Sequence, residues 1–318
     1  MNSSAWNCLV IDAGARYGLH PSWREARDLC EFHLFEPEPI EAKRLQIRYQ
    51  ELENISVHQK ALAEKNATRQ LILRGHLGLA TLEDYDLNPS DIHPDFKDLM
   101  IEIGRIEVEA VNIDDFFLAE RVDFLKLDAE GSDREILAGA TSQLSKSILG
   151  IRVNVDFHLQ NKSGYTFSDI DIWLRKFNFH LQNIEIDTRV AKRQGLFPLK
   201  TISGSLIGGD AIWVRSSLNV AESKNIEKIT FYALFLYLNS LEDVGLQFLV
   251  DAVTHVDLQF EFAKSNKFVY LLETKIMSHL ASALASGWWD SKQIFETYTK
   301  IFKKEFPTKE ELYLRLCP

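Results

Sequence analysis

One stretch near the amino terminus, Cys8-Leu-Val-Ile-Asp-Ala-Gly-Ala-Arg-Tyr-Gly18, limits the folds open to this chain more than any other. The apolar run over residues 8–11 predicts a strand buried on both faces, as strands of parallel sheets are. Two glycines follow at once, and residues 19–30 then carry apolar side chains near helical spacing. A strand, a glycine-containing turn and a helix predict the opening unit of a nucleotide-binding α/β sheet.

The spacing of these glycines separates two classes of ligand. Dinucleotide-binding turns follow the pattern G-x-G-x-x-G, whose second glycine lets the backbone approach the pyrophosphate. Arg16 stands at that position, so the sequence disfavours a dinucleotide. Asp-x-Gly-x-x-x-Gly is instead typical of S-adenosylmethionine sites, which makes Asp12, Gly14, Ala15 and Gly18 candidate cofactor contacts. An ordinary tight strand–helix turn explains the same motif, so the assignment needs partners further along the chain.

Composition and charge limit the class of protein. The chain has 318 residues, 46% of them hydrophobic, which is enough to bury more than one core. No apolar run is long enough to span a membrane, and the first six residues lack the features of a signal peptide. We therefore expect a cytoplasmic protein without a transmembrane segment. The formal net charge of −10 disfavours nucleic acid as a partner, because phosphate binding requires a basic surface.

Two further strands are predicted to complete the cofactor site. Residues 32–35 form the first of them, and Glu36 at its carboxyl end is positioned to accept hydrogen bonds from ribose hydroxyls. Residues 54–58 form the next strand, and Ala61 and Leu62 after it are candidates to line an adenine pocket. The weaker signal from residue 66 to residue 105 is interpreted as a lid over the site.

The most specific stretch is Asp123-Phe-Leu-Lys-Leu-Asp-Ala-Glu-Gly131, followed by Leu137-Ala-Gly-Ala140. It predicts a buried strand that contains Lys126 and ends at Asp128 and Glu130. Over about residues 7–215 the chain resembles the FkbM family of S-adenosylmethionine-dependent methyltransferases, through this stretch together with Val10–Ala15, Phe35–Pro37 and Val111–Asp115. The chain departs from the family pattern at Ser132-Asp133, where the family has Ala-Glu, and at Asp156, where it has Glu.

The resemblance implies an α/β fold with a Rossmann-like class I methyltransferase sheet, mostly parallel and closed by an antiparallel edge hairpin. Residues 179–186 and 210–215 are predicted to form that hairpin. The resemblance also implies S-adenosyl-L-methionine as the cofactor. The implied acceptor is a hydroxyl on a sugar, a glycan or another natural product.

Transfer to a hydroxyl requires removal of a proton, by a positioned base or with the help of a metal. The candidate catalytic residues are Asp128, Glu130 and His158, and Asp128 also faces the cofactor crevice. Structural roles remain open for each: Lys126 needs a partner such as Asp128 or Glu130, these two acids suit the cap of the following helix, and His158 suits an exposed loop. No metal site is predicted.

The sequence pattern changes after Ser217, and it predicts four or five helices and no strands from there on. We divide the chain into a methyltransferase domain over residues 1–218 and an all-α domain over residues 219–318. The helical region is interpreted either as a surface for the acceptor or a partner, a homodimer included, or as a packing extension. A methyltransferase-like module that binds without catalysis is the alternative function.

Overall fold

The computed structural model describes residues 7–84, 98–158, 165–190, 205–255, 266–287 and 290–303. The chain forms two compact units. The larger unit comprises Cys8–His20 and Cys30–Arg215, and the smaller one joins Pro21–Leu29 to the region that starts at Ser216.

A seven-stranded sheet forms the centre of the larger unit, in the order β3-β2-β1-β7-β8-β10-β9. Its strands are β1 (Leu9–Ala13), β2 (Glu31–Phe35), β3 (Ile55–His58), β7 (Phe124–Leu127), β8 (Gly150–Asp156), β9 (Phe179–Val190) and β10 (Ser205–Arg215). All neighbours from β3 to β8 are parallel, whereas β10 is antiparallel to β8 and to β9. The predicted mostly parallel sheet with an antiparallel edge hairpin is therefore confirmed.

A second sheet of three strands, in the order β4-β6-β5, was not anticipated as such. It contains β4 (Ala61–Leu62), β5 (Ala67–Arg74) and β6 (Glu102–Val111), and β5 and β6 pair antiparallel over almost their whole length. The signal in the sequence is weak because most of β6 alternates between exposed charged and partly covered residues. The part of the predicted lid over residues 85–97 lies outside the described residues.

The two faces of the central sheet differ because neighbouring residues on a strand point to opposite sides. On one face, strand residues such as Leu125, Leu127 and Ile151 are fully buried in the main core. They share that core with side chains of four short helices, α2 (Ile113–Phe116), α3 (Asp133–Ala138), α4 (Thr141–Lys146) and α5 (Phe167–Arg175). The alternate positions on the other face carry charge: Lys126 pairs in register with Asp12 on one side and with Arg152 on the other.

Helix α1 (Pro39–Tyr49) links β2 to β3 and agrees with the sequence pattern. It begins where the Glu38 carboxylate accepts hydrogen bonds from the N–H groups of Ile40 and Glu41. The helix expected over residues 19–30 is wrong. Only a 3-10 helix over Pro21–Ala26 forms there, and its buried Trp23 packs within the smaller unit, with its ring 6.0 Å from that of Phe235.

The smaller unit is helical in its described part. Its helices are α6 (Ser217–Glu222), α7 (Ile226–Leu238), α8 (Glu242–His255), α9 (Lys267–Ser286) and α10 (Ser291–Phe302). Helix α7 is buried on all sides from Ile229 to Leu238, so it forms the centre of this unit. The predicted all-α character after the sheet is confirmed. Among the described residues, no helix has both the length and the apolar character needed to cross a bilayer.

Candidate active site

A cleft opens at the carboxyl ends of β1, β2 and β7, where ligands bind in open α/β sheets. The empty space within it is about 700 Å³, with the space open to solvent included. The cleft brings together six of the predicted site residues: Gly14, Glu36, Ala61, Leu62, Asp128 and Glu130. Leu77, Thr81 and Leu82, which follow β5, line its other side. No motif in the sequence pointed to these three residues.

The first turn ties three strands together. Gly14 has a φ of 72°, and a Cβ added to it would lie 1.8 Å from the carbonyl oxygen of Asp128. The N–H groups of Gly14 and Ala15 both donate to the carbonyl oxygen of Phe35, at 3.1 Å each. Gly14 is therefore required because the ends of β1 and β7 approach each other so closely.

The remaining predicted contacts of this turn lie behind the cleft lining. Gly18 has a φ of 91°, and a Cβ there would lie 2.4 Å from the Tyr49 hydroxyl oxygen. That hydroxyl also accepts a hydrogen bond from the N–H of Leu19, at 3.0 Å. Ala15 is buried, and Asp12 has no exposed surface. These residues therefore support the structure of the turn and do not line the cleft.

A buried lysine connects the first turn to Asp128. The Nζ atom of Lys126 lies 3.2 Å from Oδ1 of Asp12 and 3.3 Å from Oδ2 of Asp128. Burial alone would lower the pKa of Lys126, but the two carboxylates raise it. Burial raises the pKa of Asp12, and Lys126 opposes that change. Of the two alternative partners predicted for Lys126, Asp128 is the one that pairs with it, and Asp12 is a second partner that the sequence did not indicate.

Glu36 lies at the carboxyl end of β2 and is only 4% exposed. Its Oε1 accepts a hydrogen bond of 2.8 Å from the N–H of Glu38. Burial raises the pKa of Glu36 to about 7, although the Glu38 N–H and the charge of Arg16 act in the opposite direction. Within the described part of the chain, Oε2 accepts no hydrogen bond, so this oxygen is available to a ligand hydroxyl.

The second turn, residues 128–131, follows β7 and has an unusual backbone. Glu130 has a φ of 51°, a left-handed conformation that is uncommon for a residue with a side chain. The Asp133 carboxylate accepts hydrogen bonds from the N–H groups of Ala129 (2.9 Å) and Gly131 (3.3 Å). The Thr81 hydroxyl donates to the Glu130 carbonyl oxygen at 2.7 Å. Asp133, rather than Asp128 or Glu130, thus holds the backbone ahead of α3.

Two carboxyl groups at this turn have raised pKa values. Burial, together with the nearby charges of Asp128, Asp133 and Asp156, raises the pKa of Glu130 well above its usual range. Burial raises the pKa of Asp133 to about 7, against the effect of its two N–H donors. A raised pKa favours the protonated form of a carboxyl group, and that form can donate a hydrogen bond.

A second cavity of about 480 Å³, again with open space included, lies beside the cleft, and Glu130 lines both. Its other polar lining residues include Arg134, Asn154, Asp156 and Tyr165. The Arg134 guanidinium carbon lies 3.6 Å from the ring centre of Trp173 and 5.6 Å from that of Tyr165. Sequence reasoning named Glu130, Asp133 and Asp156 here. It did not bring Arg134, Asn154 or Tyr165 to the site, because only the fold makes their elements neighbours.

His158 is exposed in the bend after β8. It is absent from the linings of both the cleft and the second cavity. Of the three candidate catalytic residues, the structure therefore places Asp128 and Glu130 together, with His158 apart from them.

Several solved structures are similar to this chain. A methyltransferase FkbM from Methylobacillus flagellatus KT is 16% identical, with a TM-score of 0.41, over 65% of this chain and 43% of that one. This chain thus spans less than half of that protein. An rRNA methylase from Streptococcus thermophilus is 10% identical, with a TM-score of 0.33, over 66% and 88% of the two chains. M. capricolum TrmK in complex with S-adenosyl-homocysteine is 8% identical, with a TM-score of 0.32, over 86% and 91%.

No curated protein is similar enough to match the chain. The family model described as the methyltransferase FkbM domain matches residues 12–181. This match covers more than half of the 318 residues and includes both turns of the cleft. The resemblance drawn from the sequence motifs is confirmed, and the chain belongs to the FkbM family of methyltransferases.

Proposed function

We propose that this chain is a cytoplasmic, S-adenosylmethionine-dependent O-methyltransferase that acts on a hydroxyl of a sugar, glycan or natural-product acceptor. The observation that carries the proposal is the meeting of Glu36, Ala61 and Asp128 in one cleft. Glu36 offers a carboxylate oxygen to the ribose hydroxyls. Ala61 and Leu62 offer an apolar surface to the adenine, and the turn at Gly14 lies beside the methionine end.

Transfer from a sulfonium requires an acceptor oxygen held in line, about 3–3.5 Å from the methyl carbon. Asp128 is the candidate to orient that hydroxyl or take its proton, because its side chain is 38% exposed at the cleft and pairs with Lys126. The pKa of Glu130 is raised, which favours its protonated form, so its proposed role is to donate a hydrogen bond to the acceptor. His158 remains the alternative base.

The second cavity is the proposed acceptor site. It shares Glu130 with the cleft, so an acceptor bound there extends toward the transferred methyl group. Asn154, Asp156 and Tyr165 supply hydrogen-bonding groups and an aromatic ring, which together suit a molecule rich in hydroxyls. The net charge of −10 argues against RNA as the acceptor.

The test measures cofactor affinity and methyl transfer separately. Calorimetry with S-adenosylhomocysteine gives the first, and transfer of a labelled methyl group to glycan or lipid-linked extracts gives the second. We expect Asp128→Asn to lower turnover by about 10²–10⁴-fold and to keep most of the cofactor affinity. His158→Ala, the comparison variant, should retain near-normal turnover.

Two other results would change the proposal. Near-normal turnover in Asp128→Asn, with a collapse in His158→Ala, would assign the base to the histidine. Cofactor binding without transfer to any extract would favour the non-catalytic binding module.

A homodimer formed through the helical unit also stays a prediction. Helices α9 and α10 expose Tyr270 (56%) and Phe295 (46%), which are large apolar side chains for a free surface. Sedimentation velocity of the full chain tests the prediction, because a single monomer peak at all concentrations would contradict it.

A further inference from the structure

Three side chains near the start of β2 bring ligating atoms together, whereas the cleft lies past the end of that strand. One ring nitrogen of His33 and one carboxylate oxygen each of Glu31 and Glu120 all lie within 4.8 Å of one another. Glu31 and His33 are two residues apart on β2, so they point to the same face. Glu120 comes from the segment between α2 and β7. The cluster thus joins parts of the chain that are distant in sequence.

The His33 ring is held in one orientation. Its Nδ1 lies 2.9 Å from Nε2 of His58, and the two rings are parallel to within 3°. The Phe117 ring packs edge-on against His33, with 4.9 Å between the ring centres. These contacts leave Nε2 directed at Glu31, whose Oε1 is 3.2 Å away. Imidazoles that bind metals typically have their second nitrogen fixed by a hydrogen bond in this way.

A simple hydrogen bond between His33 and Glu31 would explain part of this arrangement. It leaves the position of Glu120 unexplained. Glu120 is exposed, and its carboxylate makes no hydrogen bond or ion pair with other described residues. The three side chains together offer one nitrogen and two oxygen atoms, all within 4.8 Å of one another, which is a suitable ligand set for one cation.

We propose that Glu31, His33 and Glu120 form a binding site for a divalent transition cation of the zinc class, with water completing the coordination. One imidazole and two carboxylates favour zinc, cobalt or nickel over magnesium or calcium, which prefer oxygen ligands alone. The bound cation would connect β2 to the segment before β7. Its effect is on the stability of the larger unit, and it does not depend on the proposed methyl transfer.

The experiment titrates the full chain, freed of metal by a chelator, with zinc chloride in a calorimeter, with magnesium chloride as the comparison. We expect one zinc site, no magnesium binding and a higher unfolding temperature with zinc. Glu120→Gln should weaken zinc binding by about tenfold or more, since it removes a charged ligand at the surface. Glu107→Gln, an exposed glutamate on β6, is the matched control and should leave the affinity unchanged.

Cobalt chloride gives a second readout, because its absorption spectrum reports the ligand atoms. Oxygen and nitrogen ligands without a thiolate band would support the site, whereas a thiolate band would place the metal on one of the three cysteines, Cys8, Cys30 or Cys317, and overturn the proposal. Zinc affinity unchanged in both Glu120→Gln and His33→Gln would also overturn it. Circular dichroism tests whether each variant is folded. If His33→Gln does not fold, zinc binding by the surface variant Glu120→Gln alone decides the test.

Discussion

Two turns at the carboxyl ends of neighbouring strands both contain a residue with left-handed backbone, but the residue type differs. The turn after β1 places Gly14 in the left-handed region at a φ of 72°, and the turn after β7 places Glu130 there at 51°. Gly14 has no side chain to strain, and only a residue without Cβ fits against the Asp128 carbonyl. Glu130 adopts the same region with a full side chain whose carboxyl group is held with a raised pKa.

The difference shows which of the two turns lowers the free energy of unfolding. A left-handed residue with a side chain costs about 1–2 kcal/mol, and a half-buried acid with a raised pKa adds to that cost when it is ionised. The second turn keeps both features and is held by Asp133 and by Thr81. Strained backbone of this kind concentrates at functional sites. The first turn is therefore structural in its main requirement, and the second is the better candidate for chemistry.

The largest expected effect is at the first turn. Gly14→Ala places a Cβ 1.8 Å from a backbone oxygen and forces alanine into a left-handed conformation. We expect a loss of about 3 kcal/mol or more in the free energy of unfolding, from the strain and the overlap together. Calorimetry or chemical denaturation of the ligand-free protein measures it.

Gly287 provides the matched control, since it has the same φ of 72° but no atom within 4 Å of an added Cβ. Gly287→Ala should cost only the left-handed strain, about 1–2 kcal/mol. Equal losses in the two variants would mean that the contact with Asp128 is unimportant.

The second expected effect is at Glu130. Glu130→Gly should relieve the strain of the left-handed backbone and remove the acid with the raised pKa. We expect these two changes together to raise the free energy of unfolding by about 1 kcal/mol. Turnover should fall by roughly 10²-fold, because a positioned hydrogen-bond donor is lost. Glu130→Gln keeps the strained backbone and removes only the ionisation, so it separates the two contributions.

The pH dependence of stability follows from the direction of the pKa shift. Because the folded protein holds the Glu130 proton more tightly than the unfolded chain, this group stabilises the fold at low pH. That contribution is lost as the pH rises through the folded pKa. Glu130→Gln should flatten this decline, and a decline of unchanged size would assign it to other groups.

The parallel part of the sheet could be predicted because such strands leave continuous apolar runs, as at residues 8–11. Its antiparallel edge hairpin was implied by the family resemblance. The short 3-10 helix after Gly18 could not be predicted in this way. The apolar residues there have helical spacing, but they serve a short 3-10 helix whose Trp23 is buried against a helix more than 200 residues later in the chain. Periodicity reports which residues are buried and not what buries them.

The site was predictable only in part, for a similar reason. Glu36 and Asp128 follow strands that the pattern identifies, so their meeting at one sheet edge follows from topology. Arg134, Tyr165 and Thr81 lie on elements without a distinguishing motif, and only their packing brings them to the two cavities. Gly14 was identified correctly as a special position, but its requirement comes from the backbone of Asp128, which lies more than 100 residues away.

The third comparison is between Glu36 and Glu130, the two cleft acids whose pKa is raised. Glu36 follows a strand end without backbone strain, and its pKa is raised first by burial and further by the charges of Glu41 and Glu38. Above a pH of about 7 its carboxylate is ionised at the expense of stability. Glu36→Gln should therefore stabilise the ligand-free protein at about pH 8, by about 1–3 kcal/mol, while weakening cofactor binding.

The same pKa gives cofactor binding a pH dependence. If ribose hydroxyls donate to the Glu36 carboxylate, affinity for S-adenosylhomocysteine should fall by up to about tenfold from about pH 8 to about pH 6, because most of the group is protonated at the lower pH. Glu36→Gln has no proton to gain, so its weaker affinity should be nearly constant over that range. Calorimetric titration of both proteins at the two pH values measures the difference. An equal fall in the variant would place the titrating group elsewhere, with Asp133 beside the second cavity the next candidate because its pKa is also raised to about 7.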